Sequence, residues 1–315
     1  MLTAAVISLL PALACAQAYP TKPIRIVVPF APGGSMEAIA RLVGQKLTAA
    51  FGQAVIIDNR PGASGIVGTE FVAKAPADGY TLLAMPSAFA MNPSLYSKSP
   101  YDPIKDFEPV SALASYPLLL VCHPSLPVRS IKALIALAKA QPGSLNYSSG
   151  GVGTSNHVAA ALFAYMAGVR LTHVPYKGGG PALMDLIGGH VHIMFAAAPT
   201  TLPFAKSGRL RALGVSGAKR SPFLPDIPTI AQAGVPGYEV SSWSALFAPA
   251  GTPAAIVKSI NAEVGKGLRQ ADALEVLARQ GLEQAAGTPE DLASLVRTEV
   301  TKWAKVIKTT GIKPL

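Results

Sequence analysis

Charge is scarce in this sequence: only 14% of its 315 residues are Asp, Glu, Lys or Arg, against 50% hydrophobic residues. That balance excludes a disordered chain and a charge-laced coiled coil. Cysteine is scarcer still, at two residues. Cys15 lies in a leader-like segment, so Cys122 has no partner for an intramolecular disulfide, and packing must stabilise the fold. No stretch reaches the ~20 uninterrupted apolar residues of a membrane-spanning helix. Also missing are a Gly-Lys-Ser/Thr phosphate loop, a Gly-x-Ser-x-Gly nucleophile elbow, zinc-finger spacing, an arginine-rich run and a basic helix, so nucleic acid is not an expected partner.

What is present begins with MLTAAVISLLPALACAQA at residues 1–18. It carries no charge, has an apolar stretch from Ala4 to Leu13, and ends in small residues, the pattern of a secretory signal peptide. The mature chain is expected to start near Tyr19 in the periplasm. An alternative makes Cys15 a lipid-anchored residue, although Ala12 three residues earlier fits that signal poorly. The formal net charge of +10 belongs wholly to the remainder and suits an anionic partner.

The 28 prolines and 29 glycines punctuate a chain of short elements. Strands are expected at 24–30, 54–58 and 81–85, alternating with helices at 36–51 and from about 65 to 75. The alternation restarts at a strand over 118–122 and runs through helix 131–140, strand 145–148, helix 157–167, strand 171–175, helix 181–187 and strands 191–195 and 211–215. A strand over 242–248 returns to the first unit, and 253–310 is mainly helical. The reading is α/β: two Rossmann-like lobes with parallel-type sheets, joined by a two-strand hinge near residues 118 and 238. Residues 19–118 plus 239–315 would form one lobe and 119–238 the other.

Ligands of open α/β sheets bind beyond the carboxyl ends of strands, where loops lead into helices. Two loops fit. They are PFAPGGSMEAIAR at 29–41 and SSGGVGTSNHVAAAL at 148–162. Each sets glycines before a helix whose free N–H groups and dipole favour an anion, with Ser35, Thr154 and Ser155 adding hydroxyls. One such loop alone would be read as a turn with a serine cap. Two, one per lobe, point to a clamp on a carboxylate.

These loops, with GQAVIIDNRPGASGIVGTEFVAKAPADGYTLL at 52–83, HVPYKGGGPALMDLIGGHVHIMF at 173–195, GRLRALGVSGAKRSPFLPDIPTIAQAGVPGYE at 208–239 and WSALFAPAGTP at 243–253, resemble the Bug family. Its members are substrate-binding receptors of tripartite tricarboxylate transporters. The resemblance implies a type II periplasmic-binding-protein fold closing on a small organic acid, aliphatic or aromatic, and membrane transporter subunits as partners. It implies no cofactor and no catalysis, and a hinged receptor is expected to be a monomer. It carries the site to Phe30, Pro32, Gly33, Gly34 and Ser35 in the first lobe and to Gly151, Gly153, Thr154, Ser155 and His157 in the second. Ser87, Asn92, Ala197 and Trp243 are weaker candidates. Where relatives commonly have Thr-Asp after the glycines, this chain has Met36-Glu37. Met36 therefore either favours an apolar ligand body or packs on the helix face.

Other readings carry less. A serine hydrolase would use Ser155 and His157, but no third residue orients the imidazole. A ligand sensor for a signalling system would use the same fold. His190 and His192, two apart on an expected strand, lack a third metal ligand. Asp102, Asp106 and Glu108 are read as a solvated loop.

Overall fold

The computed structural model describes residues 19–96, 98–222 and 224–310; the leader with Cys15 lies outside them. The β-branched IRIVV segment forms β1 (Ile24–Val28), buried at four of its five positions, and pairs in parallel with β2 (Val55–Asn59) and β3 (Thr81–Pro86). Between them run α1 (Ser35–Phe51) and α2 (Ile66–Ala73), and the short α3 (Ala88–Met91) follows β3. Helix α1 buries Ile39, Val43 and Leu47 at helical spacing and stops at Gly52, whose left-handed backbone returns its N–H to the Thr48 carbonyl.

The 16-residue β4 (Phe107–Cys122) is the spine of the molecule. Beyond it lie α4 (Ile131–Ala140), β5 (Asn146–Ser149), α5 (Ser155–Ala167), β6 (Thr172–Pro175), α6 (Gly179–Ile187), β7 (Ile193–Ala197), α7 (Ala198–Lys206) and β8 (Arg211–Val215). The chain returns on β9 (Ser241–Pro249) and ends in α8 (Ala254–Leu268), α9 (Ala271–Arg279), the two-residue β10 (Glu283–Gln284) and α10 (Pro289–Thr310). The strand order is β2-β1-β3-β9-β4-β7-β5-β6, with β8 and β10 also on β4.

The wings are parallel, as the alternation predicts, whereas the middle is antiparallel. Up to Pro117, β4 pairs with β9; from Leu118 onward it pairs with β7 and β8. Sequence patterning marks only the last five residues of this strand. Pro109 and Pro117 argue against a regular strand, but Pro109 borders a register shift and Pro117 sits where the strand changes partners, places where a missing N–H does no harm. The second crossing runs beside the first. Leu118 N–H donates to Ser216 Oγ at 2.8 Å, and the same hydroxyl donates to the Val240 carbonyl.

The helical C-terminal third packs on the first wing. Val257, Ile260 and Trp303 are buried in the core that holds β1 and α1, while Leu292 and Val296 of α10 join the cluster of Phe89, Phe107 and Phe247. Strand β7 starts two residues later than expected, so His190 and His192 precede it and do not share a strand face. His192 Nδ1 instead accepts the Asn146 N–H at 3.1 Å.

Candidate functional site

Three loops at strand carboxyl ends converge on one cavity of about 120 Å³. The loop from β1 to α1 contributes Phe30, Pro32, Gly34, Ser35 and Met36. That from β5 to α5 contributes Gly150, Thr154, Ser155 and Asn156, and that from β6 to α6 contributes Gly178, Gly179, Gly180 and Pro181. Strand β7 adds Met194 and, at its end, Ala197. Tyr116 enters from β4 one residue before the partner change. Burial raises the Tyr116 phenol above its usual range, with the Ser242 and Ser35 hydroxyls beside it.

Each of the three helices opens at the cavity. The first ladder bonds run from Ala38 N–H to the Gly34 carbonyl, from Val158 N–H to Thr154, and from Ala182 N–H to Gly178. The N–H groups before these donors point out of the helix starts, where the dipoles add positive potential. Among the described residues, no Lys, Arg, His, Asp or Glu lines the cavity. Ser155 Oγ makes no hydrogen bond to another described residue, whereas Thr154 Oγ1 donates to the Gly151 carbonyl at 2.7 Å and Asn156 donates to the Phe195 carbonyl. Such a site offers backbone donors, a free hydroxyl and apolar walls to a small anion, with no side-chain cation.

The other residues expected at the site stand behind or beside this surface, beginning with the glycines. Gly33 sits at φ +87° and Gly153 at φ +84°. Gly33 N–H donates to Glu37 Oε2 at 2.6 Å and Gly153 N–H to His157 Nδ1 at 3.2 Å. Glu37 is buried, and the Gly33 N–H, with Arg41 alongside, holds its carboxyl below the usual range. His157 is stacked 4.2 Å from His173, and the Tyr147 ring lies 4.8 Å from His173 and 6.4 Å from His157, so the three rings form a cluster. Burial depresses the two imidazoles, to about 3 for His157 and about 4 for His173. His173 Nε2 lies 2.6 Å from Ser149 Oγ, which also accepts the Gly151 N–H. Ser155 and His157 share no hydrogen bond, so the geometry does not assemble the hydrolase pair.

Gly151 and Gly153 face the opposite wing. A Cβ on Gly151 would meet Ser64 Oγ at 2.9 Å, and one on Gly153 would meet Leu95 at 2.8 Å. Ser64 Oγ donates to the Val152 carbonyl at 2.6 Å, and Asn92 Nδ2 donates to the Ser64 carbonyl at 3.3 Å, which makes a direct bridge between the wings. Ser64 holds a left-handed φ of +55°, next to Ala63 at +44°, a conformation unusual for residues with a Cβ. Ser87 is buried, 3.2 Å from Ser242 Oγ. Trp243 lines a different cavity, with Ser115, Ser241 and Leu292.

Sequence reasoning does not single out Tyr116, Met194, Thr200 or the glycine triplet at 178–180, all of which line the cavity. The triplet has a readable signal, a strand and a glycine run before a helix. The strand residues have none, because alternation does not tell which buried face reaches a cleft.

Known proteins resemble this chain in sequence and fold. The model of the tripartite tricarboxylate transporter family receptor matches residues 39–312. The protein BugT of Bordetella pertussis is 38% identical over 300 residues, 95% of this chain and 92% of that one. Among solved structures, R. palustris Rpa4515 with adipate is 42% identical at a TM-score of 0.91, covering 94% of this chain and 100% of its own. MatC from Rhodopseudomonas palustris, with bound malate, is 33% identical at 0.86, covering 92% and 100%.

Proposed function

The chain belongs to the tripartite tricarboxylate transporter receptor family, and from that premise we propose that it is a periplasmic receptor capturing a small organic carboxylate between its two wings. The observation that carries this reading is the cavity itself: three helix starts and no charged side chain among the described residues, between wings joined by two strands. The carboxylate would take backbone N–H groups at Ser35, Met36, Ser155 and Gly179, with the Ser155 hydroxyl. The adipate and malate bound by the two relatives support a carboxylate as the cargo.

Residues 19–118 plus 239–315 and residues 119–238 are the lobes of this proposal, with the Ser216-linked crossings as hinge. Ligand that contacts both lobes binds the closed form better and so shifts the population toward it. The closed form is then what membrane transporter subunits would receive from a monomeric, exported, non-catalytic receptor. No helix among the described residues is long and apolar enough to cross a membrane, which fits that role.

A thermal-shift screen of the protein from Tyr19 onward tests the proposal, using adipate, malate, monocarboxylates, aromatic acids and nucleotides. A ligand at a hundred times its Kd adds about 2.7 kcal/mol, a shift of several degrees. Stabilisation by carboxylates, without product after incubation, supports the receptor. Silence across all acids together with a response to nucleotides refutes it.

A further inference from the structure

The two glycine loops share a device. In each, a glycine with φ near +85° sits two residues before the first helical residue and donates its N–H to the side chain of the third helical residue. In the first wing these are Gly33, Ser35 and Glu37; in the second, Gly153, Ser155 and His157. Both acceptors are buried, with 6% of each residue exposed, and neither is among the residues lining the cavity. We propose that Glu37 and His157 are paired positioning residues: each ties back the glycine amide so that the next N–H groups of its loop stay aimed into the cleft.

The alternative fate of these amides explains why a tie is needed. A left-handed glycine before a helix start can turn its N–H either into the cleft or back along the helix, and glycine itself imposes no preference. The side chain at the third helical position selects the second orientation, reaching one residue further out than in a capping box, where it accepts the N-cap N–H. In the first wing Arg41 braces the acceptor, with its Nε 2.8 Å from Glu37 Oε1. In the second, His157 faces the imidazole of His173 from β6, which lies within 4.8 Å of the Tyr147 ring on β5, and this stack fixes the ring. His173 in turn holds Ser149, whose hydroxyl both accepts the Gly151 N–H and donates to the Gly151 carbonyl. The second loop is thus braced at both of its positive-φ glycines.

Only the effect on affinity depends on the cleft being the ligand site, so two measurements separate the claims. Amide hydrogen exchange of Gly33 and Gly153, resolved by NMR without ligand, reads the tie directly. His157→Phe keeps a ring in the stack but has no acceptor, and His157→Gln restores one; Glu37→Met and Glu37→Gln make the same pair in the first wing. The acceptor-free variants should exchange the tied amide roughly five- to tenfold faster, the effect of losing one hydrogen bond. The Gln variants should stay within about twofold of wild type, and the other wing's glycine should not change. Titration with adipate should then show weaker binding for Phe and Met and recovery for Gln. Equal exchange in all four variants, or loosening of both loops by each one, overturns the proposal. Altered exchange with no effect on adipate affinity keeps the tie and refutes its role in binding.

Discussion

Gly150 and Gly33 differ in what constrains them, and substitution should separate the two causes. A Cβ on Gly150 would lie 3.0 Å from the Gly179 nitrogen and 3.1 Å from the Gly178 carbonyl carbon, both backbone atoms that cannot rotate away. Gly150→Val should therefore force the two glycine loops apart, lowering stability by about 1–3 kcal/mol and weakening binding. Gly33 has nothing within 4 Å of its Cβ direction and only the strain of φ +87°. Gly33→Ala should cost about 1–2 kcal/mol and leave the cavity shape intact, so that chemical denaturation changes more than affinity does. The imidazole pair sets a pH dependence. His157 and His173 are neutral in the fold, with values of about 3 and 4, whereas an unfolded histidine protonates near 6.5. Between about pH 6.5 and 4 the unfolded chain binds the extra protons, so stability falls as pH falls and is level above that window. Melting temperature should drop from pH 7 to pH 5, and the His157→Gln and His173→Gln changes together should flatten that slope. An unchanged slope in the double variant would place its origin in other groups. In the proposed receptor, Met36 as a cavity wall would bear on cargo preference. Met36→Thr replaces an apolar wall of the cavity by a hydroxyl and should move the preference between adipate and malate roughly tenfold toward malate, about 1.4 kcal/mol, in paired calorimetric titrations.

Among the elements, the short turn holding Ser64 carries a hydrogen bond between the wings. Its hydroxyl reaches the Val152 carbonyl from a left-handed backbone, and Asn92 Nδ2 holds the Ser64 carbonyl. Ser64→Ala should remove the bridge and speed ligand release about fivefold, with little change in association, in stopped-flow measurements. Elements are most legible in the sequence where local chemistry and fold agree. Periodicity marks helix α4 at Ile131–Ala140 and strand β8 at Arg211–Val215, each bounded by its own signals, and the structure has both at those bounds. In α4 the Ser130 hydroxyl accepts the Ala133 N–H as an N-cap. The first half of β4 is opaque for the opposite reason. Glu108, Pro109 and Ser111 look like loop, yet they lie in the sheet, with register shifts against β9 beside Pro109 and beyond Ala112.

For the whole molecule, alternation of strand and helix announces two α/β wings, and the paired glycine loops announce a shared cleft. What alternation cannot convey is the antiparallel middle, since strand direction depends on where the chain has been carried between pairings, not on the residues within a strand. The cleft lining is half legible for a related reason. Loops reveal themselves by glycine and serine, while Tyr116 and Met194 reach the cavity from strand interiors that read as ordinary core.

The absence of ionic side chains among the described residues around the cavity also bears on how such a receptor changes over generations. Every residue except proline carries the amide that would hold the carboxylate, so mutation rarely deletes that anchor. Exchanges at Met36, Tyr116 or Met194 alter the walls while the anchor stays. A lineage built this way can explore new cargo one wall residue at a time without passing through a form that has lost its grip.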